Sequence, residues 1–188
     1  MTRAPDSGDA RVAVIGGGEF GRSLARAVAR SAGAVLHYTR SGMALDNVEG
    51  TVLATSVLAD VSEAELLFLA VPSPYVDDLL RTLDQHLDGR HMLVHVSRGL
   101  ASGDRAGPGA PTLVTLSERM RSLTACRRVG ALAGPLVPES LATTKPGGAL
   151  IGTPFPELAD AVRAALGGPS MRLYTSDDLL GVELASAC

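Results

Sequence analysis

The sequence predicts an α/β chain built on a doubly wound, mostly parallel sheet with helices on both faces. Three observations carry that expectation. Residues 11–40 set out an apolar run, a glycine-rich turn, an amphipathic stretch and a second apolar run, in that order. Short apolar runs then recur between helix-patterned stretches, the alternation that builds a parallel sheet. The 188 residues are 46% hydrophobic, enough for one core, and with only 3% aromatics that core must come from Ala, Val and Leu.

The first element is the apolar run VAVI at 12–15, a strand of the kind buried on both faces. Gly16, Gly18 and Gly21 follow at G-x-G-x-x-G spacing. Gly16 permits the tight turn out of the strand, Gly18 lets the backbone approach a pyrophosphate, and Gly21 lets the next helix pack closely on the sheet. In that helix Phe20, Leu24 and Val28 recur every fourth residue and form the inner face. Arg22, Arg26 and Arg30 share another face and read as solvated surface. A glycine triad alone is a common turn. Between a strand and an amphipathic helix it makes a Rossmann-like dinucleotide site, with phosphates meeting free N–H groups at a helix start.

The second strand, 35–38, ends where an NAD site carries an Asp or Glu for the ribose 2′-hydroxyl. Thr39, Arg40 and Ser41 stand there instead. A carboxylate repels a 2′-phosphate, whereas a guanidinium pairs with it and a hydroxyl adds a hydrogen bond, so NADP(H) is favoured over NAD(H). The bland reading of Arg40 is an ordinary exposed loop residue.

Further on, 51–54 reads as a short strand and 65–71 as a buried one. Residues 74–86 read as a helix with Val76, Leu79, Leu80 and Leu83 inward, and 92–96 as another strand. The strand ends at Pro72-Ser73 and Ser97-Arg98-Gly99 fall at the carboxyl edge of the sheet, where open α/β folds bind ligands. Residues 101–111, rich in Gly, Pro and Ala, mark an exposed and disordered loop. A helix at 112–123, strands at 129–133 and 149–151, a helix at 157–166 and a strand at 171–174 follow. Thr175 or Ser176 then caps a last helix that opens on Asp177 and Asp178.

Charge and termini exclude several classes. A net charge of −3 with no basic block argues against a nucleic-acid partner. The polar N-terminus has no apolar core of a signal peptide, and the longest strongly apolar run is too short to span a bilayer. A cytoplasmic location is expected. Cys126 and Cys188 lie in no metal-like spacing and read as plain thiols, and no metal site is expected.

The segments VAVIGGGEFGRSLA, FLAVPS, VSRGL, LAGPLVPES and above all YTSDDLLGVELASA resemble the N-terminal half of the NAD(P)-dependent glycerol-3-phosphate dehydrogenases, from residue 11 to residue 188. The resemblance implies a flexible tail at 1–10, an NAD(P)-binding Rossmann-like domain at 11–176, and at 177–188 the start of a helix leading into a C-terminal helical domain. It implies reduction of dihydroxyacetone phosphate to glycerol 3-phosphate, an oxidoreductase step of glycerophospholipid metabolism on a small phosphate ester. With the glycine turn, it nominates Gly16, Gly18, Glu19, Phe20, Gly21, Thr39, Arg40, Ser41, Val71, Pro72, Ser73 and Arg98 as cofactor-binding residues.

Three departures set expectations of their own. The family's catalytic lysine would follow Cys188, so the lysine and the helical domain are expected to be absent from these residues and the isolated chain to be inactive. The family's S-K-G reads Ser97-Arg98-Gly99, which puts Arg98 at a lysine position as a contact for a substrate phosphate, though not as a neutral replacement. Leu136 stands where the family has a hydrogen-bonding residue, which points to a different substrate. The catalytic residues themselves are left unassigned.

Other groups are weighed against bland roles. His95 near the cleft reads as a hydrogen-bonded strand histidine rather than a proton donor. Asp177 and Asp178 read as helix-start acids, Lys145 as a turn residue, and Glu139 and Glu183 carry no assigned chemistry. The competing function is a stand-alone NADP(H)-binding module or regulatory subunit without oxidoreductase activity. An exposed apolar face along Leu179, Leu180, Val182 and Leu184 is expected to support self-association or docking of a helical partner.

Overall fold

The computed structural model describes residues 11–102, 113–143 and 146–187. The expectations placed on 1–10, on most of the 101–111 loop, on Lys145 and on Cys188 lie outside the described residues. Strand β1 (Val12–Ile15) runs into helix α1 (Glu19–Ala32), then β2 (Ala34–Tyr38), β3 (Thr51–Thr55), β4 (Leu66–Leu69), α2 (Val76–Leu83) and β5 (Met92–His95). A short pair, β6 (Ala101–Ser102) and β7 (Leu113–Val114), precedes α3 (Leu116–Leu123) and β8 (Arg128–Ala133). The chain closes with α4 (Pro138–Ala142), β9 (Gly147–Gly152), α5 (Pro156–Leu166), β10 (Met171–Ser176) and α6 (Leu179–Ala187).

The main sheet has eight strands in the order β10-β9-β8-β5-β4-β1-β2-β3. Six of them, from β3 through β8, are parallel and follow the doubly wound order of a Rossmann fold. Strand β9 runs antiparallel to β8, and β10 runs parallel to β9, so the sheet is mostly parallel, as expected, with one antiparallel step at this edge. Successive strand residues face opposite sides, which splits the core in two. Val12, Val14, Phe68 and Val94 pack under α1 and α5, while Ala13, Ile15, Leu67, Leu69 and Leu93 pack under α2 and α3.

Several boundaries move for local reasons. Helix α3 begins at Leu116 rather than 112, because Thr115 is a capping-box residue: its Oγ1 accepts from the Glu118 amide at 3.3 Å, and its own amide donates to Glu118 Oε2 at 2.9 Å. The helix read over 74–86 is α only from Val76 to Leu83, with single 3₁₀ turns at Ser73–Tyr75 and Asp84–His86. Strand β10 continues through Thr175 and Ser176. The helix cap passes to Asp178, whose Oδ1 accepts from the Gly181 amide at 2.8 Å.

Two surface readings also change. The arginine row on α1 is half-buried: Arg26 donates to the Asp46 carbonyl at 2.9 Å and Arg30 to the Leu141 carbonyl at 3.0 Å, tying α1 to a loop and to α4. On α6, Leu179 and Val182 belong to the core, and only Leu180 and Leu184 face outward. Helical periodicity puts residues four apart on one side, so the expected apolar face narrows to those two. No helix among the described residues is long and apolar enough to cross a membrane.

Candidate functional site

Strand β4 ends at Leu69, two residues earlier than expected, which frees Ala70 to Ser73 to form part of a rim. The carboxyl ends of β1, β2, β4 and β5 together border a cavity of about 950 Å³. It opens where the strand order reverses between β1 and β4, the switch point at which open α/β sheets bind ligands. All twelve residues nominated from the sequence line it: Gly16, Gly18, Glu19, Phe20, Gly21, Thr39, Arg40, Ser41, Val71, Pro72, Ser73 and Arg98.

The three glycines have distinct geometries. Gly16 takes φ +145°, and a Cβ there would strike the carbonyl oxygen of Ala70. A Cβ on Gly21 would strike the carbonyl of Gly16, so α1 lies against the turn only because that atom is missing. Gly18 differs from both. Nothing lies within 4 Å of the Cβ it lacks, and the residue is exposed at the N-cap of α1. The missing atom leaves room on the cavity side rather than relief from a neighbour, which fits a phosphate at the helix start.

At the end of β2, Arg40 and Ser41 are exposed on the cavity rim. Thr39 is buried. Its Oγ1 accepts from the Met43 amide at 3.3 Å and lies 3.4 Å from Ser41 Oγ, so this hydroxyl shapes the turn. Two residues before Thr39, His37 is a residue the sequence reading missed. Its Nε2 donates to the Gly16 carbonyl at 2.9 Å, while Nδ1 is buried without a hydrogen-bond partner. Burial pushes the His37 pKa down, with the nearby Arg22 and Arg26 charges adding to the effect and the Gly16 bond opposing it. A polar residue inside the apolar strand AVLHY was the available signal.

At the end of β5 a second group converges. The Ser97 hydroxyl donates to the Val71 carbonyl at 2.5 Å, joining the ends of β4 and β5. His95 has Nδ1 3.1 Å from the Ser97 carbonyl and Nε2 2.9 Å from Glu183 Oε1. The same Oε1 accepts from the Ser117 amide at 2.9 Å, and Oε2 accepts from the Ser117 hydroxyl. Burial alone would raise the Glu183 pKa, but the bonds from His95 and Ser117 outweigh it and hold it below the usual carboxylate value. The hydrogen-bonded reading of His95 matches its surroundings. Glu183 is fully engaged by partners 66 and 88 residues away, which no local pattern announces.

A smaller cavity of about 440 Å³ adjoins the first and shares Glu19, Phe20, Val96, Ser97 and Arg98 with it. Leu136 borders this second space, with its side chain packed into the core. Cys126 is buried, and burial pushes its thiol up to about 11, so it stays a protonated core residue. Among the described residues no group of acids, histidines or cysteines gathers as a metal set would.

Known proteins give the same picture. The family model described as NADP oxidoreductase, coenzyme F420-dependent, matches residues 11–99. The glycerol-3-phosphate dehydrogenase (NAD(P)+) of Ectopseudomonas mendocina is 32% identical over 192 residues, covering 94% of this chain and 54% of that protein. Its counterpart from Staphylococcus carnosus is 24% identical, covering 94% of this chain and 57% of the relative. The glycerol-3-phosphate dehydrogenase structure from Saccharomyces cerevisiae shares the fold with a TM-score of 0.78 at 16% identity, over 95% of this chain and 59% of that one. The chain thus spans about half the length of the curated relatives it matches. In sequence and in fold, the chain is similar to about half of the NAD(P)-dependent glycerol-3-phosphate dehydrogenases.

Proposed function

We propose that this chain binds NADP(H) in the switch-point crevice and forms the cofactor half of an oxidoreductase acting on a small phosphate ester, dihydroxyacetone phosphate by family likeness. The carrying observation is the crevice itself, whose floor is the Gly16-Gly18-Gly21 turn and whose β2 edge presents Arg40 and Ser41. The open space beside Gly18 and the start of α1 would receive the pyrophosphate. Arg40 and Ser41 would meet the 2′-phosphate, the guanidinium through charge-assisted bonds and the hydroxyl through one more. The bound nicotinamide would supply the hydride. Arg98, exposed on the wall shared by the two cavities, would hold the ester phosphate.

A second reading, a dinucleotide-binding module without oxidoreductase activity, is favoured by the bonding of His95. Both its ring nitrogens face internal acceptors, Ser97 and Glu183, and neither is turned to a substrate. The test is a fluorescence titration of the purified chain with NADPH and NADH. Tighter binding of NADPH, with the difference removed by Arg40→Ala, supports the NADP(H) site. Equal affinities, or an NADH preference that Arg40→Ala leaves unchanged, overturn it.

A further inference from the structure

We propose that His95 and Glu183 are positioning residues that set the nicotinamide end of the crevice, fastening the Ser97–Arg98 turn to helices α6 and α3. The inference rests on the dinucleotide reading above.

A continuous chain of bonds supports it. The Val71 carbonyl, on the crevice rim after β4, accepts from Ser97 Oγ. The Ser97 carbonyl faces His95 Nδ1, His95 Nε2 faces Glu183, and Glu183 takes both the amide and the hydroxyl of Ser117 at the start of α3. Both ring nitrogens of His95 therefore face oxygen atoms within hydrogen-bond distance, the Ser97 carbonyl on one side and, on the other, the Glu183 carboxylate that also takes the Ser117 donors. His95 and Glu183 are 3% and 4% exposed, which makes every missing bond in this chain costly.

The placement gives the chain of bonds a direction. A dinucleotide lies across the switch point, with its adenosine half on the β1-β2 side, where the glycine turn and Arg40 stand. The nicotinamide half then lies over the ends of β4 and β5, where Val71, Ser97 and Arg98 line the cavity. None of the bonds from His95 or Glu183 reaches the glycine turn or Arg40. The pair therefore acts on one half of the ligand and leaves the other alone.

The experiment compares two ligands on the same chain by calorimetry: NADPH, which spans both halves, and adenosine 2′,5′-bisphosphate, which occupies only the first. The variants are Glu183→Gln and the double variant His95→Gln/Glu183→Gln, in which no charge is stranded. Loss of one positioning bond is expected to weaken NADPH about fivefold or more. The bisphosphate should bind as it does to the unmodified chain. Equal weakening of both ligands, or of neither, overturns the inference. A wild-type chain that binds neither ligand overturns the dinucleotide reading and this inference with it. Hydrogen exchange on the unmodified chain gives a readout that needs no variant to fold. NADPH should slow exchange both at residues 97–99 and along α6, and the bisphosphate at neither. Protection at 97–99 with none along α6 contradicts the coupling.

Discussion

The imidazole of His37 donates to the carbonyl of Gly16 at 2.9 Å, so the second strand of the sheet holds the turn that leaves the first. The same ring leaves Nδ1 buried and unpaired. In His37→Leu the buried Gly16 carbonyl loses its donor at a cost of about 1–3 kcal/mol, while removing the unpaired nitrogen returns about as much. Thermal stability should therefore change little, while NADPH affinity falls as the Gly16 carbonyl loses its anchor. Melting curves and a cofactor titration on one preparation check this. A large loss of stability with unchanged affinity contradicts it.

The pKa directions set a pH profile. Both His37 and Glu183 are held below their ordinary values, so the unfolded chain takes up protons before the folded one as pH falls. Each contributes stability that is present above its unfolded pKa and lost as pH drops through its folded pKa. The His37 contribution begins to fade below about pH 6.5 and that of Glu183 only below about pH 4.3. Urea midpoints should thus decline in two stages on acidification, and His37→Leu should remove the first. A profile that is unchanged by His37→Leu rules out this assignment.

The glycines of the turn should separate by phenotype. Gly16→Ala combines a strained positive φ with a clash against Ala70, and Gly21→Ala presses on the Gly16 carbonyl, so each should destabilise by about 1–3 kcal/mol. At Gly18 an added Cβ meets no neighbour. Gly18→Val should fold with a near-normal melting temperature and lose NADPH and NADH alike, because its branches fill the space assigned to the pyrophosphate. Calorimetric melting and titration of the three variants distinguish the roles. A Gly18→Val chain that keeps its affinity for either cofactor overturns the assignment.

At the end of β2, the hydroxyls should separate in the same way. Ser41→Ala is expected to reduce NADPH affinity with little effect on NADH, by about the 0.5–1.5 kcal/mol of one hydrogen bond. Thr39→Val should act chiefly on stability, since Thr39 is buried and its hydroxyl accepts from the Met43 amide. Parallel titrations and melts decide it. An NADPH-selective loss in Thr39→Val would assign the phosphate contact to Thr39 instead.

What sequence reading recovered of the fold shares one property: its signal is local. Gly16, Gly18 and Gly21 are fixed by spacing between a strand and a helix, and Arg40 by its distance from them, so the β1-α1-β2 unit was legible. The reversal of β9 and β10 left no such mark, because strand direction depends on the crossover and not on the pattern within the strand. His37 and Glu183 escaped for the same reason. Their importance lies in partners contributed by distant segments, Gly16 for one and Ser117 with His95 for the other. On α6, apolar composition could not say which side of the helix met the sheet. Packing against the core decided that Leu179 and Val182 turn inward and Leu180 and Leu184 outward.

The last prediction concerns turnover. Reducing dihydroxyacetone phosphate needs a donor for the nascent alkoxide and a group that holds the carbonyl near the nicotinamide. The histidine that borders the smaller cavity, His95, has both nitrogens committed to internal acceptors. General acid catalysis contributes about 10²–10⁴-fold, and positioning contributes further. The 188-residue polypeptide assayed by itself should therefore bind NADPH and oxidise it with dihydroxyacetone phosphate at a rate close to background. Adding a separately expressed helical half from a related dehydrogenase should raise that rate if that half supplies the donor. Substantial turnover by the polypeptide alone contradicts the prediction and directs attention to His95 and Arg98, since the rate would then have to fall with His95→Gln or Arg98→Ala.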